Sequence, residues 1–207
     1  MFDEKDIFEI KNSNENFETW ISKEFIPNEI KENLKKASIL LIPTLGFRDN
    51  EKPNFPVGTT ELFEYFKRNS PAEVTVDICI GDNLYSELGL YSNYKRLGNF
   101  LVSTVALSIF LNILSSYIYD KMIKVEDSKP PIQIINNIDN SVHIDTEPEK
   151  KVTKPPKKFM ESPKVKFSIT VVDSTTGKSK DFHYEGPAKD VEKVTKEIKD
   201  FWKDEKN

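Results

Sequence analysis

The hexapeptide SILLIP, residues 38–43, is a short and continuous apolar run. Such a run is typical of a strand that is buried on both faces of a sheet. A second run, VTVDICI at 74–80, has a β-branched majority and predicts another strand. The segment between them begins as a loop rich in Gly, Pro and Asn and ends as an amphipathic pattern that predicts a helix over 59–69. The order strand, helix, strand predicts a βαβ unit with two parallel strands.

Strands that are apolar on both faces need helices on both sides of the sheet. The longest apolar stretch of the chain is a candidate for one of these covering helices. It is NFLVSTVALSIFLNILSSYIYDK, residues 99–121. Small polar residues recur in it every three to four positions, at Thr104, Ser108 and Asn112, and would form one mildly polar helix face. We interpret 99–121 as a long helix that covers the sheet. A single membrane span is the open alternative, because no charge interrupts residues 97–119 and this run is long enough to cross a bilayer.

The C-terminal part of the chain predicts a hairpin followed by a helix. VKFSITVV at 165–172 alternates apolar and polar residues, DSTTGK supplies a turn, and KDFHYE at 180–185 is the returning strand. Gly186 and Pro187 then open a helix. A ββα unit of this size is marginal on its own. We therefore expect it to dock on the first domain, to extend that domain's sheet, or to pack on a partner.

The fold class predicted from these patterns is α/β: a small βαβ-type domain with covering helices plus a C-terminal ββα unit. We place the first domain at 1–125, a Pro/Lys/Asn-rich linker at 126–163, and the ββα unit at 164–207. Within the linker, the tract 132–144 has aliphatic residues among polar ones. It predicts one or two short strands that assemble with other chains. A disordered polar tract is the alternative. The assembly candidates are Ile134, Ile138, Val142 and Ile144.

Composition excludes several function classes. The chain has 207 residues and a net charge of −4, so bulk electrostatics do not favour nucleic acid. The Lys-rich segment 150–166 has no Arg and one aromatic residue, which also disfavours base stacking. One cysteine, Cys79, gives no internal disulfide. His143 and His183 have no spacing partner, so no metal site is predicted. The scattered glycines form no phosphate-binding or dinucleotide-binding loop, and no cofactor is predicted.

One ligand site follows from the predicted topology. In open parallel sheets, ligands bind outside the carboxyl ends of the strands. Those ends place Thr44, Gly46 and Arg48 beside Asp82 and Asn83. Arg48 is suited to a phosphate or carboxylate group, and Asp82 to a base or a hydroxyl acceptor. The plainer interpretation is that all of these are ordinary turn residues.

The function predicted from the sequence is a non-enzymatic interaction or assembly protein, a homo-oligomer or the binder of a protein partner. No paired catalytic signature is present, which favours this class over an enzyme. The alternatives are an enzyme or sensor for a small phosphorylated ligand at the strand ends, and a single-span membrane protein with small soluble domains. The expected location is cytoplasmic, or the membrane if 99–121 is a span.

Overall fold

A computed structural model of the protein describes residues 6–46, 52–90, 92–124 and 162–204. Its strands are β1 (Ile7–Ser13), β2 (Ile39–Ile42), β3 (Phe55–Pro56), β4 (Val76–Ile78), β5 (Glu87–Leu88), β6 (Tyr94–Ser103), β7 (Lys164–Val172) and β8 (Ser179–Pro187). Its α-helices are α1 (Phe17–Ile21), α2 (Asn28–Leu34), α3 (Thr59–Asn69), α4 (Leu107–Ile118) and α5 (Val191–Asp204). A π-helical turn, Tyr119–Ile123, extends α4, and Asp82–Leu84 and Ala188–Asp190 are short 3₁₀ turns.

Six of the strands form one mixed sheet in the order β1-β8-β7-β6-β2-β4, while β3 and β5 form a separate parallel ribbon. The α/β prediction is confirmed. Strands β2 and β4 are parallel, with Leu41 opposite Ile78, and α3 lies between them in the chain. The C-terminal hairpin extends the same sheet, because β7 pairs in parallel with β6 and antiparallel with β8.

The apolar stretch 99–121 is not one helix, so that part of the prediction is wrong. Residues 99–103 complete β6, a turn follows, and α4 begins at Leu107. The reason is that β6 is buried on both faces: Phe100 packs with one apolar cluster and Leu101 with the other. A strand of that kind is a continuous apolar run, which periodicity does not distinguish from a buried helix. In the described residues, no helix has both the length and the apolar character that a bilayer crossing needs.

One face of the sheet packs against α3, α4 and α5 in the larger apolar cluster. At its centre the rings of Phe66, Phe100 and Phe110 lie with centroids 5.1–6.1 Å apart. These three rings come from α3, β6 and α4, so they join both helices to the sheet. Of the polar positions predicted for the long helix, Asn112 faces α5 and accepts a 2.7 Å hydrogen bond from Lys199, whereas Thr104 lies in the turn before α4 and bonds to Ser174.

The opposite face is apolar at one end and polar at the other. At the β2 and β4 end, Leu40 and Cys79 pack with Trp20 of α1 and Leu34 of α2 in a second cluster. On β7, β8 and β1 the same face carries charged and hydroxyl side chains that belong to neither cluster. An antiparallel region with one face on the core and one face in water has this alternation.

Candidate functional site

The described residues among those predicted at the strand ends do not line one common cavity. Thr44 forms an antiparallel bridge with Asn54, through hydrogen bonds of 2.8 and 3.1 Å, and its hydroxyl accepts a 3.1 Å bond from Asn99. Gly46 has a φ of 63°, which suits a turn. Asp82 and Asn83 form the 3₁₀ turn after β4. Arg48 lies outside the described residues. Thr44 thus has a structural role in the loop that follows β2.

Asp82 instead borders a cavity of about 510 Å³ between α2, α3 and the end of β4. Thr44 and Gly46 do not line it, whereas Asp77, Glu64 and Tyr85 do. Burial raises the pKa of Asp77, and the Ile78 N–H and the charge of Lys67 act in the opposite direction. The Asp77 carboxylate accepts the N–H of Ile78 at 2.8 Å. Carboxylates repel phosphate, so the described walls of this cavity do not favour a phosphorylated ligand.

The N-terminus of α3, beside this cavity, is already capped by Glu87. Gly58 precedes the helix with a φ of 92° and has no side chain to cap it. Glu87 accepts hydrogen bonds from the N–H groups of Gly58 and Thr60, both at 2.9 Å, and from the Thr60 hydroxyl at 3.0 Å. Tyr85 donates a further bond of 2.6 Å. The N–H groups that could otherwise bind an anionic ligand at this helix end are therefore already hydrogen-bonded to the Glu87 carboxylate.

Burial by itself would raise the pKa of Glu87, but the hydrogen bonds from Tyr85, Thr60 and Gly58 outweigh it and lower the pKa to about 2. The pKa of Tyr85 is raised to about 12, first by burial and then by its bond to Glu87. At neutral pH the pair is thus a carboxylate and a phenol. This arrangement stabilises the helix and contains no group poised for proton transfer at neutral pH.

His183, which the sequence leaves without a partner, lies on the polar face of the sheet. Its Nδ1 is 2.8 Å from the Ser168 hydroxyl, and its Nε2 is 3.8 Å from Glu185, which also pairs with Lys166. Burial lowers the pKa of His183, as does the charge of Lys166, while Glu185 and Glu9 oppose them.

The Ser168, His183 and Glu185 side chains resemble a hydrolase triad only in residue type. Strand β7 lies between β6 and β8, so its N–H groups are engaged in the sheet and offer no oxyanion hole. Beside them Thr170 donates to Asp181 at 2.6 Å, in a second cross-strand pair of the same kind. Within the described residues, no group of three or more His, Cys, Asp or Glu side chains is arranged to hold a metal ion. We interpret these polar side chains of β7 and β8 as cross-strand pairs that stabilise the hairpin.

Strand β1 is the long edge of the sheet, and the sequence patterns did not predict it. It pairs with β8 over residues 7–13, and β8 is its one neighbour in the described sheet. Five of its seven residues are exposed. Ile7 and Ile10 retain 37% and 39% of their accessible surface, which is high for isoleucine. The opposite edge, β4, has only three residues. Of the two edges, β1 offers the longer row of backbone groups to another strand.

The fold and these sites together define an α/β protein with a mixed six-stranded sheet and one long edge strand. At the strand ends it has an acidic cavity beside the capped N-terminus of α3. No family model, no curated protein and no solved structure matches the chain. The predicted assembly residues Ile134, Ile138, Val142 and Ile144 lie outside the described residues.

Proposed function

We propose that the protein is a non-enzymatic assembly protein and that two copies join through β1. The observation that best supports this is the self-complementary sequence of the strand, IFEIKNS. When two copies of β1 pair antiparallel with Ile10 at the centre, Glu9 of each copy lies opposite Lys11 of the other. Ile10 then faces Ile10 of the second copy. A two-fold axis gives an isologous interface of this kind, in which every pair occurs twice.

The backbone of β1 favours such a pairing. In a strand, alternate residues direct their N–H and C=O groups to opposite sides, so β1 uses half of these groups for β8. The other half have no strand partner in the described sheet, and such a row of backbone groups is the usual template for strand addition. Each hydrogen bond formed there contributes on the order of 1 kcal/mol net.

The side chains select one register. Glu9 and Lys11 lie on one face of β1, and Ile10 lies on the other. A two-fold axis perpendicular to the sheet places the same face of both copies on the same side of the joined sheet. Moving the axis by one residue would place Glu9 opposite Glu9 or Lys11 opposite Lys11, and like charges directly opposite each other are destabilising. The Ile10-centred register avoids both repulsions and removes the exposed surface of Ile10 from water.

A charge-reversal series tests the proposal. Glu9→Lys or Lys11→Glu alone creates two like-charge contacts in the dimer, and we expect each to weaken association about tenfold or more. The double variant Glu9→Lys/Lys11→Glu restores both pairs and should restore association. Glu32→Lys, on the exposed face of α2, is a matched reversal away from β1 and should leave association unchanged. Sedimentation equilibrium between about 1 and 100 μM covers the dissociation constants expected of an interface made by one pair of strands.

Two results would overturn the β1 proposal. One is a native chain that remains monomeric across that range. The other is a dimer that both single reversals leave intact. The sequence-based alternative is assembly through 132–144, and Ile138→Asp/Val142→Asp tests it separately. A dimer that this variant abolishes and the β1 variants preserve would move the interface to that tract.

A further inference from the structure

A pocket of about 480 Å³ lies between the β3–β5 ribbon and the first residues of β6. Its walls are apolar on the ribbon side, where Pro56, Val57 and Leu88 line it. On the β6 side it is bordered by Lys95 and Arg96. An apolar concavity with a small number of charged groups is the usual composition of a small-molecule site.

Strand β6 is irregular beside this pocket. The register of β6 against β7 shifts between Arg96 and Gly98, which is a β-bulge. Gly98 has a φ of 99°, a backbone conformation that other residues rarely adopt, and a side chain there would lie 3.5 Å from Pro56. The bulge thus redirects the side chains at the start of β6 at the place where the ribbon approaches the sheet.

Arg96 is half-buried beside this pocket and is not satisfied by the described protein. Its Nε atom is buried, and no described group accepts its hydrogen. Because Nε is shielded from solvent, a ligand in the pocket would bind to the terminal NH₂ groups of the guanidinium rather than to Nε. In the register of β6 against β7, Arg96 lies opposite Lys166, so its cross-strand neighbour is also a cation. The nearest described carboxylate in this register, Glu185, is already paired with Lys166.

We infer that this pocket binds a small organic carboxylate whose oxygens accept hydrogen bonds from Arg96 and whose hydrocarbon body lies against Pro56, Val57 and Leu88. A guanidinium group matches a carboxylate with two parallel hydrogen bonds. The apolar walls favour a singly charged head on a hydrocarbon body over phosphate, because phosphate would bring poorly paired anionic oxygens against them. The site is separate from β1, so this inference does not depend on the proposed assembly.

Hexanoate is a suitable probe, with hexanamide as its neutral counterpart and inorganic phosphate as an anion without a hydrocarbon body. Titrations of the full chain, followed by amide NMR shifts, should show saturable binding of hexanoate with a Kd on the order of millimolar or tighter. Hexanamide and phosphate should bind at least about tenfold more weakly.

Three variants complete the test. Arg96→Gln should weaken hexanoate binding about tenfold or more, and Arg96→Lys should also weaken it because it loses the planar fork. Arg68→Gln removes an exposed arginine of α3 and should leave binding unchanged. Equal hexanoate affinity in the native chain and in a folded Arg96→Gln variant would overturn the inference, and so would hexanamide binding as tightly as hexanoate. Phosphate binding tighter than hexanoate would overturn the organic carboxylate as the ligand class.

Discussion

Replacing Glu87 by glutamine changes one oxygen of the carboxylate into an amide nitrogen and removes the charge. In the structure, Oε1 accepts from the Thr60 N–H, the Thr60 hydroxyl and Tyr85, and Oε2 accepts from the Gly58 N–H. The best glutamine rotamer keeps the three bonds of Oε1 and turns its NH₂ towards the Gly58 N–H. It therefore loses one bond outright and weakens three charge-assisted bonds.

The expected loss of stability is about 2 kcal/mol, within a range of roughly 1–3 kcal/mol for helix caps and for hydrogen bonds to charged groups. For a chain of this size, that corresponds to a Tm decrease of about 4–8 °C. The loss also depends on pH. Since the folded pKa of Glu87 is about 2 against an ordinary value of 4.5, its contribution is complete above pH 4.5 and disappears as pH falls towards 2.

Urea unfolding of the native chain and of Glu87→Gln at pH 7 measures the difference, and repeating it near pH 3 should give a smaller one. Glu73→Gln changes an exposed carboxylate near the end of α3 and should stay within about 0.5 kcal/mol of the native chain. If Glu87→Gln and Glu73→Gln prove equally stable at pH 7, the capping role argued from these contacts is wrong.

Two other groups give predictions from their burial. The folded pKa of His183 is lowered, first by burial and then by Lys166, so its contribution to stability is complete above the ordinary value of 6.5 and is lost as pH falls towards the folded pKa. Between about pH 7 and pH 5 the native chain should lose more stability in urea than His183→Gln does, and parallel pH profiles would contradict this. Cys79 has no exposed surface and a pKa raised to about 12, mainly by burial. Its thiol should react with a disulfide reagent at the rate of unfolding, and rapid modification of the native chain would show that it is accessible.

The elements with local signals were predictable from sequence. SILLIP and VTVDICI are apolar runs between turn residues, and they form the parallel strands β2 and β4. The alternation of β7 and the turn before Gly177 likewise led to the hairpin, whose Gly177 has a φ of 70°. In each case the pattern lies within the element itself, so neighbours in space were not needed to identify it.

The boundary between β6 and α4 was not predictable in this way. The turn that separates them, at residues 104–106, contains neither Gly nor Pro, so the apolar strand and the apolar helix form one uninterrupted run. Strand β1 was missed for another reason. IFEIKNS becomes a strand because β8 offers it an edge, and β8 lies more than 160 residues away in the chain.

The sites show the same limit. The cap on α3 comes from Glu87, which lies more than 25 residues further along the chain and is brought beside the helix by folding. Thr44 lies just after β2, as predicted, but its backbone is hydrogen-bonded to Asn54 and its hydroxyl to Asn99. Such contacts depend on tertiary packing and have no local sequence signature.

The central claim, that two copies pair through β1 about Ile10, is tested most directly by disulfide trapping. In the proposed register the two Ile10 Cα atoms lie about 4.5–5.5 Å apart, within the span of a disulfide. The two Asn12 Cα atoms, on the same face of the strand, lie about 13 Å or more apart, which a disulfide does not bridge. Cys79 is buried and should not contribute a cross-link. Under mild oxidation Ile10→Cys should form a covalent dimer on a non-reducing gel and Asn12→Cys should stay monomeric. Equal cross-linking of the two variants, or none in Ile10→Cys, would contradict the account.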